Sequence, residues 1–284
     1  MSCTTPIQGW LTPGGVVFQQ LKRHDIKHEI NLPCGMCMPC RIKKAADWEL
    51  RLTHESKLHE ESCFLTLTYS DENLPAVGLN YPDVQKFLKR VRKKYKIRHY
   101  TVGEYGDITA RPHYHMCLFG KNFTNRKPAG RSESGEIYYN DPELDKLWPH
   151  GHATVQDLTP NSAGYAARYV TKKLLGEEAK QYAYAGVTPE HSHMSLKPAI
   201  GFKWAEAHYK DFYIHDFAIH KGKKRPVPSA YDTIAKTRDP ANLEQLKENR
   251  AARATTQLAD NTEARRKVKD TVLRATIKHS RNLK

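Results

Sequence analysis

Two histidines separated by one residue, His113 and His115, form the strongest chemical signal in the sequence. In a β-strand, residues i and i+2 point to the same face, so both imidazoles can reach one ion. Glu104 precedes them, and a hairpin between two strands would bring its carboxylate alongside. Two histidines and a carboxylate leave open positions on a divalent metal, where a substrate oxygen can bind. The competing interpretation is that both are ordinary surface histidines. The presence of Glu104 is only modest evidence against that interpretation.

A second pattern places two tyrosines, Tyr165 and Tyr169, four residues apart in a segment with helical character. This spacing puts both on one face of an α-helix, which Lys172 and Lys173 border. A phenol is a weak nucleophile near neutral pH because its pKa is about 10. A neighbouring cation favours the phenolate, and a bound metal makes a phosphate more electrophilic. The same spacing is also common in a helix that only packs against a core.

Three cysteines, Cys34, Cys37 and Cys40, follow one another at intervals of three residues. This spacing allows three thiolates to bind one ion, with Zn²⁺ as the candidate, but a structural zinc site needs four ligands. The alternative is a reduced, cysteine-rich turn packed at the start of a helix. No fourth ligand is close in sequence, and none of the more distant candidates is compelling: Cys3, His54, His59 and Cys63.

The chain of 284 residues is strongly basic, with 46 Lys and Arg against 31 Asp and Glu and a net charge of +15. Residues 221–284 carry 17 of the basic and 7 of the acidic side chains, so two thirds of the excess lies there. Such an excess favours a polyanionic partner. No apolar run approaches the ~20 residues of a membrane helix, and the N-terminus does not resemble a signal peptide. We therefore expect no membrane association and a cytosolic location.

Residues 86–98 contain eight basic side chains and no acidic one. These charges would lie on the polar side of an amphipathic helix, and they would repel one another unless an anion were near. The sequence therefore favours a surface that follows phosphates, although a solvated helix face is the simpler alternative. The residues expected to contact a nucleic acid are Lys86, Lys89, Arg90, Lys93, Arg168, Lys173 and Lys197.

The elements that would position these groups follow from hydrophobic periodicity and turn residues. Helices are predicted at residues 41–59, 81–97 and 161–175, and residues 202–220 are predicted to form a further helix that ends in a strand or turn. Strands are predicted at residues 63–69, 98–104, 113–119 and 153–158. A polar loop is expected between the third and fourth strands, at about 120–147. This order predicts an α+β fold with a central antiparallel sheet flanked by helices.

Three segments, FLTLTYS at 64–70, GEYGDITARPHYHMCLFG at 103–120 and YAARYVTKK at 165–173, together resemble the motifs of rolling-circle replication initiators, the HUH endonucleases. The cysteine-rich turn, WPHG at 148–151 and MSLKPAIGFKW at 194–204 resemble more closely the replication initiators of microviruses, specifically the gokushovirus branch of small single-stranded DNA phages. The resemblance covers roughly residues 30–210. It implies the HUH endonuclease fold for this part of the chain.

The resemblance also assigns roles. His113, His115 and Glu104 match the ligands of a Mg²⁺ or Mn²⁺ ion. Tyr169 with Lys172 matches the nucleophile motif, and Tyr165 matches the additional tyrosine of two-tyrosine initiators. The residue between the histidines is usually bulky and hydrophobic, and the tyrosine at position 114 meets this only in part.

The residues themselves predict an arm at 1–30, a cysteine-rich turn and helix at 31–60, and a basic, partly helical or disordered tail at 216–284, and the resemblance implies an HUH nuclease core at 61–215. The implied activity is site-specific nicking and religation of a single-stranded DNA origin through a 5′-phosphotyrosine link, in the bacterial cytoplasm. A host polymerase would extend the 3′-OH, and a host helicase would unwind the DNA because the sequence contains no Gly-x₄-Gly-Lys-Ser/Thr. The alternative is a non-catalytic, basic nucleic-acid-binding protein with a structural metal at its cysteines.

Overall fold

A computed structural model of the protein describes residues 3–12, 15–19, 28–132, 135–172, 185–256 and 258–282. The side chains at 28, 169–172 and 278–282 lie outside this description. The chain forms two compact units, one comprising Met1–Lys44 with Glu244–Lys284 and the other Ala45–Leu243. No described helix combines the length and the apolar character needed to cross a membrane.

The smaller unit contains a three-stranded antiparallel sheet. Its strands are β1 (Ile7–Thr12), β2 (Gly15–Val17) and β3 (His28–Leu32), in the spatial order β2-β1-β3. Ile7 pairs with Leu32, so the chain before β1 runs beside the chain after β3. The N-terminal segment predicted to be an arm therefore contains the strands β1 and β2. These strands are short and mostly half-exposed, so they carry little hydrophobic alternation.

The larger unit is built on a seven-stranded antiparallel sheet. Its strands are β4 (Ser62–Thr68), β5 (Arg98–Tyr105), β6 (Pro112–Phe119), β7 (Lys127–Arg131), β8 (Ile137–Asn140), β9 (Ala153–Asp157) and β10 (His191–Met194). Their spatial order is β10-β5-β6-β4-β9-β8-β7. A separate hairpin joins β11 (Ala218–His220) to β12 (Lys223–Arg225). The predicted α+β fold with a central antiparallel sheet is confirmed.

Helices cover both faces of this sheet. Those wholly or partly in the larger unit are α1 (Met38–Ser56), α2 (Tyr81–Arg92), α3 (Pro142–Leu147), α4 (Pro160–Lys172), α5 (Phe202–Ala207), α6 (Tyr209–Tyr213), α7 (Asp232–Arg238) and α8 (Pro240–Thr255). The smaller unit adds α9 (Glu263–Asn282), and short 3₁₀ turns occupy Ser229–Tyr231 and Ala259–Asn261. Ion pairs one turn apart, such as Glu263 with Lys267 at 2.7 Å, support α9. The described part of the predicted tail is therefore largely helical.

The two faces of the sheet have separate cores. On one face, which we name the α2 face, the apolar stripe of α2 packs against alternate residues of β4 and β6, including Leu65, Leu67, Tyr114 and Met116. On the other, the α4 face, the buried residues include Leu52, Phe64, Val102, Cys117, Phe119, Ala163, Ala166 and Ala167. Three alanines on one side of α4 let that helix approach the sheet closely. Strand alternation therefore assigns each residue of β6 to one of two environments.

Three predicted elements differ from those observed. The loop expected at 120–147 contains β7, β8 and α3, and it escaped detection because β7 includes Pro128 and Gly130 at a shift in strand register. The helix expected to reach residue 97 ends at Arg92, and the backbone then makes a turn in which the N–H groups of Lys94 and Tyr95 both donate to the carbonyl oxygen of Val91. Residues 202–220 form two short helices, α5 and α6, where one was predicted, and the strand or turn expected at their end is the strand β11. The last three residues of the helix expected at 161–175 lie outside the described residues.

Candidate active site

Glu104, His113 and His115 come together on the α4 face at one end of β5 and β6. The register of this strand pair places Glu104 directly opposite His113 and Val102 opposite His115. The Nε2 atoms of His113 and His115 lie 2.8 and 3.1 Å from Oε1 of Glu104. Because all three ligand atoms lie within 4.8 Å of one another, one ion could contact them together.

The opposite nitrogen of each imidazole is held by a neighbouring oxygen. Nδ1 of His113 lies 3.1 Å from the carbonyl oxygen of Arg111. Nδ1 of His115 lies 3.1 Å from Oγ1 of Thr66, which is opposite it in β4. When Nδ1 donates to such an oxygen, Nε2 keeps its lone pair for a metal, and the ring orientation is fixed. The spacing of the histidines gave no sign of Thr66, whose position depends on the pairing of β4 with β6.

The Glu104 carboxyl group is buried, with a side-chain exposure of 4%. Burial raises its pKa, but hydrogen bonds from His113 and His115 outweigh burial, and the net pKa is below the ordinary range. Within the described part of the chain, Oε2 of Glu104 has no hydrogen-bond partner. An ionised oxygen of this kind is costly to bury alone, and a bound cation would satisfy it. The donor set therefore fits a divalent metal.

A second buried carboxylate on the same side, Glu55 of α1, shows the contrasting arrangement. Its Oε1 accepts from Nε of Arg98 at 2.5 Å, and its Oε2 accepts from the backbone N–H of Gly201 at 2.7 Å. Burial raises the pKa of Glu55, but the hydrogen bonds from His59 and Gly201 and the charge of Arg98 bring it below the ordinary range. Since both oxygens are satisfied by the protein, Glu55 has a structural role.

Tyr165 reaches the histidines from α4. Its ring centroid lies 5.1 Å from that of His115, edge to face, and the side chain is 41% exposed. The guanidinium of Arg168 lies 5.7 Å from the centre of the Tyr165 ring. The helix begins after Thr159, whose Oγ1 accepts from the N–H of Ser162 at 3.2 Å. The structure therefore brings one predicted tyrosine and one predicted cation to the ligand cluster.

The other predicted catalytic residues are described only in part. The backbone at Tyr169 and Lys172 continues the helix α4, but their side chains lie outside the described residues, as does all of Lys173. Because Tyr169 follows Tyr165 by four residues on a continuous helix, its backbone lies one turn further along the same face. The predicted sharing of one helix face is thus consistent with the backbone.

An open cleft of about 590 Å³ adjoins the ligand cluster at His113. Arg111 lies in this cleft, where its guanidinium contacts Asp71 Oδ1 at 2.5 Å and donates to the carbonyl oxygen of Tyr69 at 2.9 Å. The cleft is lined by Thr68, Tyr69, Ser70, Asp71, Glu72, Arg111, Pro112, His113 and His152. Sequence analysis missed Arg111 and His152, although Arg111 lies two residues before the first histidine and His152 directly follows the WPHG segment.

Backbone contacts at WPHG explain how that segment shapes the cleft. A side chain at Gly151 would drive its Cβ into the backbone nitrogen of Ser70, so only glycine allows the two chains to lie so close. The N–H of Ser70 donates to the carbonyl oxygen of His150 at 2.9 Å, and the indole of Trp148 donates to that of Thr68 at 2.7 Å. These contacts fix the end of β4, which forms one side of the cleft.

The lysines and arginine predicted on α2 are not brought to the ligand cluster. The helix packs on the α2 face, and the metal ligands lie on the opposite one. Lys89 and Lys93 are exposed. Lys86 lies 3.6 Å from Asp83, and Arg90 donates to the carbonyl oxygen of Leu147 at 2.9 Å, which gives it a structural contact with the end of α3.

Lys197 is exposed, in the segment that joins β10 to α5. This segment is anchored to the sheet, since Arg98 donates to the carbonyl oxygens of Lys197 and Pro198 at 3.5 and 2.5 Å. Gly201 has a φ of +75°, and a Cβ there would lie 2.8 Å from the carbonyl oxygen of Arg51 on α1. These packing contacts give the resemblance segment 194–204 a structural role that sequence analysis did not identify.

The three predicted metal-binding cysteines also meet in the smaller unit, and a fourth joins them. The Sγ atoms of Cys3, Cys34, Cys37 and Cys40 all lie within 4.8 Å of one another. Cys3 was among the distant candidates for the fourth ligand. It arrives there because β1 pairs with β3, and no local motif signals that pairing.

Comparison with known proteins places these features in a family. Residues 62–174 match the family model for replication-associated proteins of the ORF2 type, a range that includes Glu104, both histidines and both tyrosines. The chain is 32% identical over 252 residues to replication-associated protein VP4 of Bdellovibrio phage phiMH2K, an alignment that covers 84% of this chain and 79% of the relative.

Two further phage proteins are similar. Replication-associated protein ORF2 of Spiroplasma virus 4 is 31% identical over 88% of this chain and 86% of its own length. Replication-associated protein ORF4 of Chlamydia phage 1 is 35% identical over 54% of this chain and 41% of its own length. No solved structure matches the chain significantly. The predicted resemblance to microvirus initiators is confirmed, and the chain belongs to the family of phage replication-associated proteins.

Proposed function

We propose that this replication-associated protein initiates rolling-circle replication by cutting and rejoining single-stranded DNA at a specific site. The nucleophiles are the tyrosines of α4, and Glu104, His113 and His115 hold a Mg²⁺ or Mn²⁺ ion. The observation that carries the proposal is the convergence of both Nε2 atoms on Oε1 of Glu104, with the Tyr165 ring 5.1 Å from that of His115. A nucleophile, a metal ligand set and an open cleft thus meet on one face of the sheet.

The ligand set suits a metal that activates a phosphate. A divalent ion held by three protein ligands has open positions for phosphate oxygens, and it stabilises the negative charge that develops on them. The protein's contribution is to hold the ligands in place, through the oxygens of Arg111 and Thr66 at the far side of each imidazole. Oε2 of Glu104, which has no partner among the described residues, completes the donor set.

The bond changes in the proposed reaction balance without a cofactor. The phenolic oxygen of a tyrosine attacks the phosphorus and loses its proton to solvent. The P–O3′ bond breaks, and the 3′ oxygen takes up a proton to become a 3′-OH. The other strand end stays attached as a 5′-phosphotyrosine. Since one phosphodiester replaces another, religation by the reverse reaction needs no external energy source.

Arg168 supports the attack from the same helix. Its guanidinium lies 5.7 Å from the centre of the Tyr165 ring, where its positive charge would stabilise the negative charge that develops during the attack. The second tyrosine, Tyr169, stands one helical turn away and can accept the strand in a second cleavage. Two nucleophiles would let the protein release a unit-length circle while it remains joined to the next copy. Lys172 and Lys173 follow Tyr169 closely in sequence and add positive charge near the nucleophiles in this proposal.

The proposed cellular partners follow from the products. A free 3′-OH is a primer for a host DNA polymerase, and a host helicase supplies the single strand. This assigns the reaction to the cytoplasm of the bacterial host.

The test uses single-stranded DNA oligonucleotides that tile the genome encoding the protein, each labelled at its 3′ end. With Mn²⁺ present, we expect one oligonucleotide to yield a covalent adduct that keeps the 3′ label. The same oligonucleotide labelled at its 5′ end should yield a free, shorter strand. The adduct should be absent in EDTA and absent from the Tyr165→Phe, Tyr169→Phe double variant. Tyr81→Phe, at the start of α2 on the opposite face, is the matched control and should leave the adduct unchanged.

Each alternative has its own signature in this assay. An adduct from the double variant would show that the nucleophile lies elsewhere. Metal-dependent nicking that is lost in His113→Ala and His115→Ala, with DNA binding retained, supports the metal assignment. Binding by the wild-type protein with no adduct at any oligonucleotide would favour the non-catalytic nucleic-acid-binding protein.

A further inference from the structure

The four cysteines of the smaller unit are brought together by tertiary structure. The pairing of β1 with β3 carries Cys3 to Cys34, although 31 residues separate them along the chain. Cys37 directly precedes α1, and Cys40 lies in the first turn of that helix. All four side chains are half-buried. The remaining two cysteines, Cys63 and Cys117, are buried in the larger unit, so the cluster includes every cysteine that is not part of the core.

The sulfur separations fit one zinc ion. Four sulfur atoms about 2.3 Å from a tetrahedral Zn²⁺ lie about 3.8 Å from one another. The Sγ atoms of Cys3 and Cys37 are 3.6 Å apart, close to this value. The remaining separations stay within 4.8 Å, so binding requires side-chain movements of about 1 Å. A disulfide would need about 2.05 Å, and all four cysteines are free thiols.

Hydrogen-bond donors surround the sulfur atoms. The N–H groups of Met36 and Cys37 donate to Sγ of Cys34 at 3.4 and 3.2 Å, and Oγ1 of Thr5 donates to it at 3.2 Å. The N–H of Cys34 donates to Sγ of Cys3 at 3.3 Å. Donors of this kind stabilise the thiolate, which is the form that binds metal, and offset the negative charge of four sulfur ligands.

We propose that Cys3, Cys34, Cys37 and Cys40 bind one Zn²⁺ in a closed, structural tetrathiolate site. Four protein ligands fill the coordination sphere, so no position is open for a substrate. The ion joins the residues before β1 to the first turn of α1 and closes the long loop between Cys3 and Cys34. The site takes no part in the proposed nicking reaction, so either proposal can fail without the other.

The first test measures zinc in the full chain, purified without chelators and then dialysed. Because Glu104, His113 and His115 can also hold a metal, the reference protein carries His113→Ala and His115→Ala. We expect about one zinc per chain in this reference protein. Adding Cys37→Ser should remove it. Adding Cys117→Ala, which changes a buried cysteine outside the cluster, should leave it in place.

The ligand type can be read from cobalt. When Co²⁺ replaces zinc in the reference protein, four thiolates should give an intense near-ultraviolet sulfur-to-cobalt charge-transfer band and the visible bands of tetrahedral cobalt. Both features should disappear with Cys37→Ser and persist with Cys117→Ala. A cobalt spectrum without the charge-transfer band would overturn the proposal, since cobalt would then be bound by nitrogen or oxygen.

A measurement on the wild-type protein covers the case in which Cys37→Ser fails to fold. Iodoacetamide should leave the four clustered cysteines unmodified, as read by mass spectrometry of peptides. After a strong chelator removes the zinc, all four should react, while Cys63 and Cys117 stay protected by burial. The proposal fails if protein refolded with zinc contains none, if alkylation is equally fast with and without zinc, or if disulfides link the four cysteines.

Discussion

On the α4 face of strand β6, His113 and His115 point towards Glu104, and the ring of His115 contacts that of the exposed Tyr165. On the α2 face, Tyr114 and Met116 are completely buried beneath α2. The α4 face has three alanines where α4 meets the sheet, so the helix lies close to it. The α2 face is instead filled by large side chains such as Phe87 and Trp148. Both faces have a core, but only the α4 face also carries the candidate metal ligands of β6.

This difference teaches how a single strand can serve two purposes. Successive residues of a strand point to opposite faces, so a chemical group and a core group can be direct neighbours in sequence. Tyr114 completes the packing core, and this explains why a large side chain stands between the two histidines of this chain. Adjacent substitutions in β6 should therefore separate activity from stability.

The largest expected effect is on activity, from His115→Ala. This variant removes one of the three proposed ligands to a divalent metal, and the charge stabilisation by such a metal contributes several kcal/mol to a phosphoryl-transfer transition state. We expect nicking to fall about 10³-fold, which corresponds to about 4 kcal/mol. The measurement is the rate of adduct formation at saturating DNA. A rate within tenfold of the wild-type value would show that His115 is not a ligand to a catalytic metal.

The counterpart on the α2 face is Tyr114→Ala. The side chain is completely buried, so the substitution leaves a cavity and should reduce the free energy of unfolding by about 3–5 kcal/mol. Urea denaturation measures this loss. At a temperature where the variant is folded, nicking should stay within about tenfold of the wild-type rate. If the folded variant is as inactive as His115→Ala, the two faces do not divide chemistry from packing.

A third prediction compares the two buried carboxylates, Glu55 and Glu104. Glu55→Gln leaves Arg98 without its anionic partner, and we expect a loss of roughly 2 kcal/mol in the free energy of unfolding near pH 7. Nicking by the folded variant should change little, because both oxygens of Glu55 are already occupied by protein donors. A variant that folds normally but cannot nick would contradict the structural role.

The pH dependence of this loss has a definite sign. The pKa of Glu55 is lower in the folded protein than the ordinary value of about 4.3, so the carboxylate stabilises the fold above that pH. As the pH falls towards the folded-state pKa, the wild-type protein loses this contribution and the variant does not. The difference between them, measured by urea denaturation at several pH values, should shrink below about pH 4.

A smaller effect is expected from Thr66→Val, which removes the oxygen at Nδ1 of His115 and keeps the shape of the side chain. Outer contacts of this kind contribute 10–100-fold, roughly, to metal affinity. The Mn²⁺ concentration for half-maximal nicking should rise by that factor, and saturating Mn²⁺ should restore most of the rate. Loss of activity that Mn²⁺ cannot restore would assign Thr66 a different role.

The matched control for Thr66 lies on the α2 face. Thr101 makes the same kind of contact, with its Oγ1 2.9 Å from Nδ1 of His99, and both of these residues are buried. Thr101→Val should therefore leave the Mn²⁺ dependence unchanged. An equal shift in both variants would indicate a general effect of losing a hydroxyl group from the sheet.

Much of the candidate site follows from local rules that can be applied to the sequence. Strand alternation predicts that His113 and His115 share a face, and the hairpin between β5 and β6 places Glu104 beside them. Helical spacing does the same for Tyr165 and Tyr169. The α+β fold follows from the predicted order of strands and helices, in which β5 and β6 form a hairpin and helices separate other strands of the same sheet.

The rest depends on contacts between distant parts of the chain. Thr66 reaches His115 only because β4 pairs with β6 in one register, and Cys3 reaches the other cysteines only because β1 pairs with β3. The sequence equally contains no signal that Lys89 and the proposed metal ligands lie on opposite faces of the sheet. The amphipathic pattern of α2 predicts that one side of the helix is buried, but it does not say on which face of the sheet.

The smallest predicted effect concerns Lys89, an exposed residue of α2, compared with Arg168 on α4. If the DNA strand extends from the cleft around to α2, Lys89 contacts a phosphate far from the cut, and its effect is purely electrostatic. Lys89→Gln should then lower the slope of log K against log salt by about 0.7 and leave the nicking rate of bound DNA within about twofold. Arg168→Gln should lower the slope by a similar amount and also slow nicking, because Arg168 lies beside the Tyr165 ring.

Binding measured by fluorescence anisotropy across a range of salt concentrations, together with single-turnover nicking, separates these outcomes. A slope unchanged by Lys89→Gln would mean that the positive charges of α2 form a solvated surface, as the simpler interpretation of residues 86–98 holds. If Lys89→Gln lowers both the slope and the nicking rate, the DNA on α2 would have to lie close to the cut. A single, extended strand cannot do this, because α2 lies on the opposite face of the sheet from the candidate site.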